Sequence, residues 1–199
     1  MNALYYCPQN NNIFDYTDGL SDINNRLIRI IGNASERYRE DPVRMLRAVR
    51  FSAKLGFSIE KGSSAAIHKL RLLLADIPPA RLFDEVLKLF MHGHALASFN
   101  LLREYKIFGI LFPATEAALE DESNYYLKFI EQALINTDKR IRTNQRVTPA
   151  FLFAALLWPA LKEREGEDHQ PEKVNIFSLY STAGSIITEQ CQRLAIPRR

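Results

Sequence analysis

Arg39-Glu40-Asp41-Pro42-Val43-Arg44-Met45-Leu46-Arg47-Ala48-Val49-Arg50-Phe51 is the stretch from which both fold class and function are read. Asp41 can cap a helix that Pro42 opens at its first position, where proline's missing N–H is not needed. Gly56 can end that helix. At about 100° per residue, Met45, Leu46, Val49 and Ala53 fall on one arc, and Arg44, Arg47, Arg50 and Lys54 on the opposite one, with Phe51 inside the basic arc. One side is thus built for burial. The other carries four like charges that repel one another, and Glu40 on the same face balances one of them.

Outward from this segment the apolar spacing stays helical. It predicts helices near 41–55, 63–74, 80–91, 94–105, 123–136, 147–161 and 173–194. Pro78-Pro79 introduces the third of these, and Gly93, between His92 and His94, separates the third from the fourth. The charged run Lys162 to Lys173 reads as an exposed loop. Toward the N-terminus, residues 3–6 are strand-like, Asn10 to Asn12 and Asp15 to Gly19 mark turns, and Leu27-Ile28-Arg29-Ile30-Ile31 alternates as a second strand. Two strands are too few to be stable alone, so the expected fold class is mainly α, a multi-helix chain with a short N-terminal β remnant.

With 199 residues, 47% apolar and 25% charged, the chain can bury a real core in one large or two small domains. A net charge of +3 is too mild to indicate nucleic acid by itself, so an anion site must come from local clustering. Cys7 and Cys191 lie at opposite ends with no metal-ligand spacing around them, which points away from disulfides and zinc and toward a reduced cytoplasm. There is no signal-peptide pattern. The longest apolar run, Ala150 to Leu161, contains Pro159 and falls short of the roughly 20 residues a membrane helix needs. Met1 to Tyr6 enters directly as a strand and Leu194 to Arg199 stops straight after a helical pattern, as expected of a chain cut at both ends.

The basic face has an ordinary reading, a solvated surface with intrahelical pairs, and a sharper one that rests on the helix start. Asp41 and Arg44 lie one turn apart, so a carboxylate acceptor and a guanidinium donor can project side by side. The carboxylate would accept from an exocyclic amine while Arg44 donates to the adjacent ring nitrogen. Adenine and cytosine present that order; guanine and uracil present the reverse and would leave the pair unsatisfied. Arg47, a turn further on, is placed to meet ribose or triphosphate oxygens, and Arg50 and Lys54 extend the face toward RNA.

The run from Ile30-Ile31-Gly32 through Arg37-Tyr38-Arg39 and on to Leu55-Gly56-Phe57 resembles the neck of the class II tRNA nucleotidyltransferase and poly(A) polymerase family. Asn2-Ala3-Leu4-Tyr5-Tyr6 is similar to the tail of that family's arginine-rich head motif, and Asp15 to Arg29 to the stretch joining head to neck. The resemblance runs from residue 1 to 113 and more weakly beyond. It implies that Glu40, Asp41 and Arg44 hold the incoming base and that Arg47 contacts the nucleotide. Arg81-Leu82-Phe83-Asp84-Glu85-Val86-Leu87-Lys88-Leu89-Phe90 and Leu111-Phe112-Pro113 look more like the poly(A) polymerase branch than the CCA-adding one.

The resemblance further implies a division into the end of a head domain and its connection (1–31), a neck that binds nucleotide and RNA (32–113) and a helical body (114–199). It implies addition of AMP from ATP to RNA 3′ ends, with Mg2+ held by carboxylates of the head. No Gly-Ser loop followed by Asp-x-Asp occurs in the 199 residues, so no catalytic or metal-binding residue is expected in this chain, and a separately encoded head is a candidate partner. Asp15, Asp18 and Asp22 read as turn residues, and His92 and His94 as helix-end residues. Arg81 with Glu85 and Asp84 with Lys88 read as structural pairs, and Val147 to Trp158 as a buried helix. Lys139, Arg140, Arg142 and Arg146 form a second basic patch, RNA-tracking or merely solvated. Two other readings stay open: a fragment of a CCA-adding tRNA nucleotidyltransferase, and a non-catalytic helical RNA-binding module.

Overall fold

The structure, a computed structural model, describes residues 3–120, 124–166 and 176–197. The described chain is mainly α and divides into two compact units, Met1–Asp76 and Ile77–Arg199.

In the first unit β1 (Leu4–Cys7) pairs antiparallel with β2 (Asn12–Asp15), Leu4 opposite Asp15 and Cys7 opposite Asn12. Asn11 takes the left-handed conformation at the turn (φ 55°), which asparagine tolerates better than most residues. The Asp15 carboxylate then accepts the N–H groups of Leu20 (2.8 Å), Gly19 (2.9 Å) and Thr17 (3.1 Å). Those bonds lower its pKa, Leu20's contributing most, and start α1 (Gly19–Asn24). The turn reading holds for Asp15, which folds the turn, whereas Asp22 lies within α1 and accepts from Arg29 Nε at 2.9 Å.

The expected second strand is shorter and differently paired. Only Leu27–Ile28 form a strand, β3, which lies parallel to β4 (Ser58–Ile59) with Leu27 opposite Ser58. Beyond it the Ile30 N–H turns to Ser63 Oγ at 3.3 Å, and Gly32 (φ 84°) bends the chain. A strand partner thirty residues away leaves no local signal.

The bend leads into α2 (Ala34–Glu40), which no spacing indicated because only Tyr38 of its seven residues is buried. Its start is nevertheless capped: Asn33 Oδ1 accepts from Ser35 and Glu36 N–H, satisfying two donors with no intrahelical partner. Next come α3 (Val43–Leu55) and α4 (Lys61–Leu70), followed by a 3-10 turn over Arg71–Asp76. In α3, Met45, Leu46 and Val49 have no exposed surface, and Val43, Ala48 and Ser52 widen the buried side. Gly56 stops it in the left-handed region (φ 65°) and donates its N–H to Ser52 O at 2.9 Å. Glu60 caps α4 through the N–H groups of Gly62 and Ser63, both at 2.9 Å.

The second unit holds α5 (Pro79–Phe90), α6 (Ala95–Glu104), α7 (Phe108–Leu111), α8 (Pro113–Ala118), α9 (Tyr125–Arg142), α10 (Pro149–Glu165) and α11 (Ile176–Leu194). Its centre is aromatic. Phe108 meets Phe99 edge-on at 4.9 Å and stacks with Phe112 at 5.1 Å, and Phe83 stacks with Phe153 at 5.7 Å; such contacts add to the area buried. α11 closes over the end of α7: Gln190 Nε2 donates to Leu111 O at 2.8 Å and Arg193 Nε to Ile110 O at 2.6 Å, serving carbonyls that a helix C-terminus leaves unpaired. The stretch read as a buried helix lies largely in α10, with Leu152, Phe153, Leu156 and Leu157 buried.

Two expectations change here. α10 continues through Pro159 to Glu165, so Lys162 to Glu165 are helical rather than loop. Lys, Glu and Arg are good helix formers, and Arg164 binds Glu189 on α11; the rest of that run, 167–173, lies outside the described residues. Lys88 bonds Glu85 at 2.8 Å, three residues away, rather than Asp84. No helix among the described residues is long and apolar enough to cross a membrane.

Candidate nucleotide site

The site grows from the corner between α2 and α3. α2 ends at Glu40, Asp41 is extended (φ −150°, ψ 95°), and Pro42 leads into α3. One Asp41 carboxylate oxygen accepts the Val43 N–H at 3.2 Å, so the side chain is fixed by the helix start that it helps to form.

Arg44 is fixed from the other side. Its Nη1 donates to Glu40 Oε2 at 2.8 Å and to the Arg37 carbonyl at 3.0 Å. Arg37 Nη1 donates to the same Glu40 oxygen at 2.6 Å, so Glu40 takes two guanidiniums where spacing had pointed to one. The Arg44 hydrogen bond is the main reason that the Glu40 carboxyl titrates below its ordinary range, with the Arg37 charge adding to it. Nε and Nη2 of Arg44 have no protein partner among the described residues, and its side chain is 26% exposed.

Arg47 is exposed, and its side chain makes no ion pair or hydrogen bond among the described residues. It lines a cleft of about 50 Å³ together with Arg44, Ala48, Tyr38, Arg29 and Ile30. That is room for one or two waters, so the cleft encloses no base and its polar edges are presented at an open surface. Arg29 and Ile30 also border a wider polar hollow of about 310 Å³, reached by Asn33, Ser35, Glu60 and Ser63.

Of the other expected site residues, Lys54 is exposed in the last turn of α3. Arg50 is half-buried and lies over its neighbour's ring, 4.5 Å from the Phe51 centroid. The structure therefore gathers Glu40, Asp41, Arg44 and Arg47 at one end of α3 and leaves Arg50 and Lys54 further along. Sequence reasoning missed Arg37, Tyr38 and Arg29. Arg37 stands three residues before Glu40, a spacing that a search for i, i+3 pairs would have found. Nothing local marks Arg29, whose partners are Asp22 and Glu60.

No group of three His, Cys, Asp or Glu side chains comes together among the described residues as a metal site.

Residues 56–119 match the family described as "Probable RNA and SrmB- binding site of polymerase A". Over its whole length the chain is 44% identical to Poly(A) polymerase I of Haemophilus influenzae, and it spans 44% of that protein. It is 38% identical over 104 residues to the CCA-adding enzyme of Staphylococcus aureus, a match covering 51% of this chain and 25% of the relative. The chain thus spans less than half the length of these curated relatives. In fold it is similar to the Bacillus stearothermophilus CCA-adding enzyme solved in complex with CTP: TM-score 0.56, 24% identity, 98% of this chain and 53% of that one.

Proposed function

We propose that this chain, which belongs to the poly(A) polymerase and tRNA nucleotidyltransferase family, is the base-selecting and RNA-holding part of a polynucleotide adenylyltransferase, which adds AMP from ATP to RNA 3′ ends. In this reading residues 32–113 are the neck that binds nucleotide, 114–199 the helical body, and 1–31 the connection to a catalytic head. The two free cysteines suit a reduced, cytoplasmic setting.

The observation that supports the reading is that Asp41 and Arg44, three residues apart at the α2–α3 corner, are each anchored, Asp41 by the Val43 N–H and Arg44 by Glu40 and the Arg37 carbonyl. Asp41 accepts from the exocyclic amine of the base, and Arg44 donates one of its remaining N–H groups to the adjacent ring nitrogen. Because Glu40 and the Arg37 carbonyl already hold Arg44, little side-chain freedom is lost on binding. Arg47 meets ribose or phosphate oxygens, and Arg50 and Lys54 lie further along toward the RNA. Among the described residues no acidic side chains converge as a two-metal centre would need; the transfer chemistry is assigned to carboxylates of the head.

The test is equilibrium binding of the four ribonucleoside triphosphates to the 199-residue chain. ATP and CTP are expected to bind more tightly than GTP and UTP, with the preference lost in Asp41→Ala and Arg44→Ala. Equal binding of all four by the unaltered chain overturns the base-reading role. A second reading, CCA addition, is favoured by the same edge chemistry, since cytosine satisfies the pair as well as adenine does. CTP incorporation into tRNA lacking its 3′ end, by this chain joined to a catalytic head, would replace the poly(A) reading with that one.

A further inference from the structure

At the far end of α9 from Tyr125, Lys139, Arg140, Arg142 and Arg146 place four cations within eight residues, all exposed. None of them is ion-paired to a carboxylate among the described residues. No Asp or Glu occurs in the sequence from Lys139 to Lys162, and the carboxylate just before the cluster, Asp138, is buried and occupied: it accepts the Ala95 N–H at 2.6 Å and the Leu96 N–H at 3.2 Å. Cations at a helix C-terminus are favoured by the helix dipole, but that effect fades within the last turn, whereas Arg146 lies beyond it.

Two of the four are held rigidly. Arg142 directs Nε and Nη2 at one acceptor, the Gly93 carbonyl (3.2 and 2.9 Å), and Arg140 directs the same pair at the Arg146 carbonyl (3.4 and 3.1 Å). Each guanidinium is oriented by a neutral acceptor, keeps its full charge and leaves Nη1 outside that bond pair. Arg142 and Asp138, one turn apart, together clamp the loop between α5 and α6, where Gly93 (φ 81°) lies close to Ile141 and Arg142. The cluster therefore sits on a braced element.

The residues between the cations say what kind of partner fits. Thr143, Asn144 and Gln145 are exposed and can bond phosphate or sugar oxygens. No large apolar side chain is exposed between Ile135 and Phe151, so the surface lacks the anchor that a protein interface or a membrane-bound helix uses. A nucleic-acid backbone needs no such anchor.

We propose that the C-terminal end of α9 and the loop that follows it bind the phosphate backbone of RNA, with Lys139, Arg140, Arg142 and Arg146 as the contacts. The inference takes its partner from the RNA-binding reading above and adds to α3 of the first unit a contact surface carried by the second.

The experiment measures binding of an adenylate oligonucleotide of about twenty residues to the full chain across a salt series. Variants are Lys139→Ala/Arg146→Ala, the conservative Lys139→Arg/Arg146→Lys, and Arg47→Ala/Arg50→Ala/Lys54→Ala on α3, with circular dichroism melts to compare folding. The Lys139 side chain makes no hydrogen bond or ion pair among the described residues, and both residues serve as acceptors only through their backbone carbonyls, so the fold is expected to survive both changes. Each single-strand phosphate contact contributes about 0.7 to the slope of log K against log salt. The alanine pair is therefore expected to flatten that slope by about 1.4 and weaken binding roughly tenfold at low salt, and the conservative pair to restore both. An unchanged slope and affinity in the alanine pair, while the α3 variant weakens binding, overturns this inference and leaves the RNA-binding reading standing. If the unaltered chain binds no RNA at any salt, both fall.

Discussion

Arg44 Nη1 lies 2.8 Å from Glu40 Oε2 across the Asp41-Pro42 corner, the last residue of α2 holding a first-turn residue of α3. Glu40 is 51% exposed, so the bond acts chiefly on where Arg44 points. Glu40→Gln is expected to weaken ATP and CTP binding roughly two- to fivefold, the range of exposed pairs, with no change in the melting curve beyond experimental scatter. Fluorescence titration with a labelled ATP checks it, and unaltered affinity would remove Glu40 from the site.

Asp41 offers a sharper test because its role depends on accepting only. Asp41→Asn can present an amide N–H where the base presents its own amine. The ratio of ATP to GTP affinity should fall about ten- to a hundredfold, as an unsatisfied polar contact implies. A ratio that stays constant while both affinities drop would mean that Asp41 only shapes the corner.

The Glu60 carboxyl titrates below its ordinary value of 4.5, chiefly because Gly62 N–H and then Ser63 N–H bond its charged form. Its unfolded form takes up the proton first as pH falls, so its contribution to stability is complete above about 4.5 and is lost as pH drops through the lower folded value. Glu60→Ala should cost about 1 kcal/mol near neutral pH, as removal of a helix cap does, and should make the acid limb of the stability curve shallower. Urea melts at several pH values read both effects; an acid limb equally steep in the variant would refute the assignment.

Asp138 belongs to α9 but caps α6. Truncating it in Asp138→Ala leaves the Ala95 N–H buried without its acceptor, which is expected to cost about 2 kcal/mol. Asp138→Asn, keeping one acceptor oxygen, should recover about half of this. The denaturation midpoint of the second unit, followed by Trp158 fluorescence, provides the measurement.

The chain by itself, given ATP, magnesium and an RNA primer, is expected to leave the primer unextended, since no acidic side chains converge on a metal site among its described residues. Denaturing gels show the outcome directly. Primer extension by the purified chain would return the chemistry to residues within these 199.

α3 was legible because helical periodicity repeats over thirteen residues and each apolar position reports the same buried side. The long helices α5, α6, α9 and α11 were legible for the same reason, and α10 from its continuous apolar run. α2, α7 and α8 were not, being at most seven residues long, too short for a period to show. The base-reading candidates Asp41 and Arg44 could be named because they lie only three residues apart in the chain. That Glu40 serves Arg37 as well as Arg44, and that Arg29 borders the same cleft, depended on how the chain turns at Gly32 and Asp41.

The sequence by itself determined the helical class and the polarity of α3, since these follow from spacing along one element. Only the tertiary structure decided what those side chains are held by. It also decided that β3 pairs with a strand thirty residues on, and that Asp138 and Arg142 reach back across more than forty residues to brace the turn at Gly93. Local patterns are set by geometry within a few residues, whereas such partners are chosen by packing of the whole unit, which no short window of sequence records.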